Sequence, residues 1–214
     1  MADIFKEVDE GLRRDNLEKL WKKYGFQFIG MAVAVVLAVA GWQGWQAYDL
    51  DQRGKLSDRY GAALDLAQGG DTAAGLDAMI DMSEASDSGY AGLAAFEEAR
   101  LRVESGDTAG AIALWDRIAG ESGLGPGFKE AATLFSVLHQ IDNGDPSALR
   151  ARLEPLAADS QPFRSTAREL LAVIALGDRD TASARAFYTQ ISDDREAPAG
   201  LRQRAAQMLA ALKE

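Results

Sequence analysis

Few residues in this chain could carry out chemistry. Among 214 residues there is one histidine, His139, and no cysteine. Thiolate nucleophiles, thiolate metal sites and disulfide frameworks are therefore excluded. A Ser-His-Asp arrangement would depend wholly on His139, which sits in an apolar helical stretch where a structural role is the simpler reading. The run GESGLGPG, Gly120 to Gly127, is rich in glycine. It lacks the Gly-Lys-Ser/Thr ending that holds phosphates, and it joins two helices where a phosphate loop would follow a strand, so it reads as a linker. Asp193, Asp194 and Glu196 cluster in a turn without the alternating pattern of a calcium loop, which reads as solvated surface. The expectation is no enzyme, no cofactor and no metal, with function through binding.

What does the binding must be built from the rest of the chain. Hydrophobic residues make up 47% and charged residues 26%, the proportions of a folded body. The net charge of −10 is unevenly placed. Residues 1–24 carry six basic and six acidic residues, residues 25–48 carry none, and residues 49–214 carry 17 basic and 27 acidic ones. The acidic body repels a phosphate backbone and contains no basic stripe, so no nucleic-acid partner is expected.

From Gly25 to Tyr48 there are 24 consecutive uncharged residues. As a helix they would reach roughly 36 Å, enough to cross a hydrocarbon core about 30 Å thick, and a helix satisfies its own backbone there. Aromatic residues that favour the headgroup level mark both ends: Trp21 and Tyr24, beside Lys22 and Lys23, before the span, and Trp42, Trp45 and Tyr48 at its close. Lys19, Lys22 and Lys23 precede the apolar run, whereas Asp49 and Asp51 follow it. The basic flank predicts a cytoplasmic N-terminus and an exported body. A cleaved signal peptide is the rival, since Ala38-Val39-Ala40 has the small-x-small form, but its charged leader would carry six acids. A permanent anchor in the inner membrane fits better. Before it, Ile4, Phe5, Val8 and Leu12 form one apolar stripe and Leu17, Leu20, Trp21 and Tyr24 another on nearly the opposite side, so two helices are expected, the second opening at an Asp15–Glu18 capping box.

The body repeats. Asp71 to Met82, Asp107 to Ile118, Asp145 to Leu156 and Asp180 to Ile191 align without gaps at offsets of 36, 38 and 35 residues. Each starts with an Asp suited to capping a helix. Each then places Gly75, Ala111, Leu149 or Ala184 four residues on, and Met79, Trp115, Leu153 or Tyr188 eight on, one face of a helix. A turn glycine precedes each segment: Gly70, Gly106, Gly144 and Gly177. Counting back three, seven and ten residues from these glycines gives mostly apolar sets, among them Val103, Ala99 and Phe96, the mark of a second helix. A helix, a turn and a helix at a period near 35 residues is the spacing of tetratricopeptide-type hairpins, which bury a core only by stacking. Leu201, Ala205, Met208, Leu209 and Leu212 predict a last helix after Pro198. The fold class expected is all-α: one N-terminal transmembrane helix, then a tetratricopeptide-like α-solenoid of about four hairpins with a C-terminal capping helix. The domains are 1–24 cytoplasmic and amphipathic, 25–48 transmembrane, and 49–214 the periplasmic repeats.

With LEKLWKKYG (Leu17 to Gly25) before the span, GWQGWQAY (Gly41 to Tyr48) closing it and hairpins following, the sequence resembles the YfgM-like family of tetratricopeptide-repeat inner-membrane proteins. That resemblance implies an ancillary subunit of the Sec translocon, with translocon subunits and a membrane-anchored periplasmic chaperone as protein partners; exported clients are expected to meet the chaperone there, and the lipid bilayer is crossed once. The alternative is a scaffold for envelope assembly or division that self-associates through its repeats. One departure stands out. Repeats that clamp a terminal carboxylate use Lys and Asn on their first helices, but the positions six before the glycines are Leu64, Arg100, Leu138 and Leu171. Arg100, the only charge in that column, is either a partner contact or a local ion pair at the edge of the stripe.

Overall fold

The computed structural model describes residues 2–85, 89–120 and 124–212, and their regular structure is helical with no strand. The chain divides into two compact units, Met1–Leu56 and Ser57–Glu214.

Helix α1 runs over Ala2–Gln68 without a break. One helix thus replaces the two expected over residues 1–24. Once nucleated, a helix gains a hydrogen bond with each added residue, and the first proline of the chain is Pro126, so nothing in the backbone interrupts it. The side chains of residues 1–20 lie outside the described residues, and with them the stripe of Ile4, Phe5, Val8 and Leu12 and the Asp15–Glu18 box. From Trp21 onward α1 is long and apolar enough to cross a membrane. Its apolar side chains are not the core of a soluble fold: Phe26 is 90% exposed, and Met31, Val36 and Leu37 are exposed as well.

The second unit begins with the last turns of α1. It continues through α2 (Thr72–Glu84), α3 (Gly89–Glu104), α4 (Thr108–Gly120), α5 (Pro126–Leu138), α6 (Pro146–Leu153), a 3₁₀ turn over Glu154–Ala157, α7 (Arg164–Gly177), α8 (Thr181–Asp193) and α9 (Ala199–Ala211). Four hairpins and a final helix follow in the expected order. Residues 121–123 of the Gly120–Gly127 junction lie outside the described residues; its end is a start signal, with Gly125 at the N-cap and Pro126 in the first turn of α5.

The four aspartates cap as their chemistry dictates. Asp71 accepts from the Ala74 amide at 3.1 Å, Asp107 from Gly110 at 2.9 Å, Asp145 from Ala148 at 3.1 Å and Asp180 from Ser183 at 3.0 Å. The aligned positions beyond them are buried in every repeat: Gly75, Ala111, Leu149 and Ala184, then Met79, Trp115, Leu153 and Tyr188. Only the last column weakens, at Leu156, because Pro155 removes an amide and the third repeat ends in the 3₁₀ turn.

The turns are less uniform than the glycines suggest. Gly70 and Gly106 have φ of 97° and 90°, the left-handed conformation that closes a helix. In the fourth turn that conformation falls on Arg179, with φ of 62°, while Gly177 is the last residue of α7. The amides of Asp107 and Asp180 reach back five residues, to Arg102 and Ala175, both at 2.8 Å, so the two turns close in the same way. Gly177 is therefore two residues too early to be the counterpart of Gly106. Gly144 closes a different turn, donating to the Gln140 carbonyl at 2.6 Å.

Each first helix after α1 serves two cores. α3 gives Ala94 and Leu101 to a cluster with α1 and α2, and Ala95 and Ala99 to the next with α4 and α5. α7 gives Leu170 and Ile174 to the cluster with α5 and α6, and Ala172 and Ala175 to the one with α8 and α9. In the last of these Leu201 and Ala205 of α9 cover the array's end.

Candidate protein-binding groove

Correcting the fourth turn also corrects the column six residues before it. The equivalent of Arg100 in the fourth repeat is Val173, not Leu171. Leu171 is buried, whereas Arg100, Leu138 and Val173 are exposed. Among the described residues of the repeat unit, the exposed large apolar side chains are Leu66, Leu93, Phe135, Leu138 and Val173. All five belong to the first helices of the hairpins, and none to the second helices or to α9. Apolar surface left open on one helix set only is a signature of a partner face.

Leu93 and Phe135 line a cavity of about 420 Å³. Tyr60 from α1 and Leu93, Phe96 and Val103 from α3 form one side; Trp115 from α4 and Phe135 and His139 from the end of α5 form the other. The rings hold one another in place. Trp115 stacks on Phe135 with centroids 5.5 Å apart, and Phe96 meets Phe135 edge-on at 5.9 Å. His139 lies 4.7 Å from Trp115. Its Nδ1–H donates to the Phe135 carbonyl at 2.9 Å, which ties the imidazole to its own helix. Among the described residues, no serine, threonine or cysteine lines the cavity beside His139. The Trp115 indole N–H is buried, and no acceptor among the described residues pairs with it.

Among the described residues, the acidic and basic side chains that line the groove are Glu97, Arg100 and Glu104. Arg100 donates Nε–H to Glu97 Oε1 at 2.8 Å, Nη2–H to the same oxygen, and Nη1–H to Glu104. The hydrogen bond with Glu97, reinforced by Glu104, holds the guanidinium pKa above its ordinary value. Arg100 is thus a local ion pair. Burial, with the charge of Glu97 adding to it, raises the Tyr60 phenol.

The other named residues are elsewhere. In α1 the aromatics of the apolar segment are exposed: Trp21, Tyr24, Trp42, Trp45 and Tyr48. Lys23 places its ammonium 5.2 Å from the Tyr24 ring, and Trp42 and Trp45 lie 5.6 Å apart. Lys22 belongs to the same turn. The acidic cluster divides. Asp194 accepts from Arg164 Nε at 2.8 Å with its side chain 12% exposed, so it is part of an ion pair joining α7 to the α8–α9 turn and not solvated surface. No group of acidic or histidine side chains among the described residues could hold a metal.

Sequence reasoning missed the groove as a site. It had placed Phe96 and Trp115 in buried columns and assigned Phe135 to none. Phe135 carried the signal: it is a large apolar residue nine positions before Gly144, off the buried positions at three, seven and ten.

A family model described as a tetratricopeptide repeat-like domain matches residues 18–125, from before the apolar segment through the second hairpin. The chain belongs to this family. No curated protein and no solved structure matches it significantly. Repeats of this kind are protein-interaction modules, and here one follows a helix that could span a membrane.

Proposed function

We propose that the protein is a single-pass inner-membrane protein whose periplasmic repeats hold other proteins in the groove between α3 and α5, acting as an ancillary subunit of the Sec translocon beside a membrane-anchored chaperone. The observation that carries the binding reading is the confinement of exposed large apolar side chains, among the described residues of the repeat unit, to the first helices, with an aromatic cavity beside Leu93 and Phe135. In water such a surface gains free energy by being covered. The topology reading rests on Lys19, Lys22 and Lys23 before the span against Asp49 and Asp51 after it. The translocon reading rests on resemblance, carried by Leu17 to Gly25, Gly41 to Tyr48 and the hairpins that follow.

Site-specific photocrosslinking in intact membranes tests this. Probes at Trp21 and Trp45 are expected to capture channel subunits, and a probe at Phe135 a periplasmic chaperone or an exported chain. Consistent failure at Trp21 and Trp45 would remove the translocon from the reading. Capture of a second copy of this chain at Phe135 would favour the self-associating scaffold instead.

A further inference from the structure

The groove offers a cation-poor, acid-rich rim to whatever enters it. Glu97 and Glu104 set two negative charges against the one positive charge of Arg100. All three nitrogens of that guanidinium are already held by the two carboxylates. A ligand carboxylate approaching that one cation would stand beside two carboxylates already paired with it, placing three negative charges around one positive charge, which is unfavourable in a partly enclosed site. A ligand cation meets the opposite situation. The Glu104 side chain is 55% exposed at the rim and can receive it. The body's excess of acidic over basic residues adds a long-range attraction of the same sign. Beneath the rim, Phe96 and Phe135 offer ring surface, with the buried Trp115 stacked on Phe135, and a volume of about 420 Å³ is at the scale of a side-chain pocket, far too small for a folded domain.

Building on the reading of this groove as the partner site, we infer that its occupant is an internal polypeptide segment. It sets a large apolar side chain against Phe96 and Phe135 and a lysine or arginine beside Glu104. A chain end recognised through its free carboxylate is not the ligand.

The test uses the full chain in nanodiscs of zwitterionic lipid and labelled peptides of equal length, read by fluorescence anisotropy. The reference peptide is acetylated and amidated, with one Phe followed by two Lys. The others replace both Lys with Glu, replace Phe with Ala, or leave the C-terminal carboxylate free. The Lys peptide is expected to bind about tenfold tighter than the Glu peptide at low salt, with the gap closing as salt rises. Freeing the carboxylate is expected to bring no gain, and loss of Phe to weaken binding about tenfold or more. Glu104→Gln should shrink the preference for Lys to about threefold. Equal binding of the Lys and Glu peptides, or tighter binding of the free carboxylate, overturns this inference. If Phe135→Ala still abolishes that binding, the groove remains the site. Binding indifferent to Phe135→Ala, or none by any peptide, overturns the groove reading and this inference with it.

Discussion

The indole of Trp115 and the ring of Phe135 lie 5.5 Å apart and within 21° of parallel, and these two rings differ sharply in exposure: Trp115 is 3% exposed and Phe135 43%. One ring belongs to the core and its stacking partner to the surface. Substituting each should therefore separate folding from binding. Phe135→Ala is expected to cost about 1 kcal/mol of stability, little for a core-adjacent aromatic because much of the ring is already wet. Crosslinking to a partner from neighbouring positions should fall by an order of magnitude or so. A thermal melt of the full chain, followed by circular dichroism, checks the first half.

Trp115→Ala is expected to cost about 3–5 kcal/mol, the range for emptying a buried aromatic site. Trp115→Phe should cost much less, because the indole N–H it removes has no acceptor to lose. Denaturant titration of the two variants side by side measures the difference.

Gly75 packs where α2 crosses the end of α1. A Cβ at that position would lie 2.7 Å from Ala67 Cβ and 2.8 Å from its Cα, contacts that only a backbone shift can relieve. Gly75→Ala is expected to destabilise the first hairpin by about 1–3 kcal/mol despite the better helix propensity of alanine. Hydrogen exchange should show the loss concentrated in α2.

Arg179 holds a left-handed backbone that costs a residue with a Cβ roughly 1 kcal/mol. Arg179→Gly is expected to recover about 0.5–1 kcal/mol, an increase in stability on removal of a charged side chain. A higher denaturation midpoint at unchanged slope would verify it.

The sequence makes some of these features visible and hides others for physical reasons. Capping by Asp71, Asp107, Asp145 and Asp180 is local chemistry between a side chain and an amide two or three residues on, so it can be read directly. The buried columns follow from helical periodicity. Arg179 could not be found that way, since it adopts a conformation its side chain disfavours, imposed by the closure of the turn around it. Phe135 was hidden for another reason: both faces of α5 are apolar, and which one stays open depends on what the neighbouring helices cover. The pairing of Asp194 with Arg164 spans 30 residues and exists only once α7 and the α8–α9 turn have met.

Acid should act through carboxyls held below their ordinary range. The Arg164 hydrogen bond lowers Asp194 to about 2, the Gly110 amide and Arg102 lower Asp107, and Ser183 lowers Asp180. For groups whose folded values are depressed, the stabilisation is complete above the ordinary value of 3.8 and is lost as pH falls toward the folded value. The melting temperature is expected to be flat near neutrality and to fall between about pH 4 and pH 2. Asp194→Asn should lower it at neutral pH and flatten part of that fall.

Helices α3, α5 and α7 each bury one flank in the cluster before and the other in the cluster after, so neighbouring clusters are joined through a shared helix. Tension applied by a partner at the centre is therefore passed to the hairpins on either side, as in a strip of spring steel.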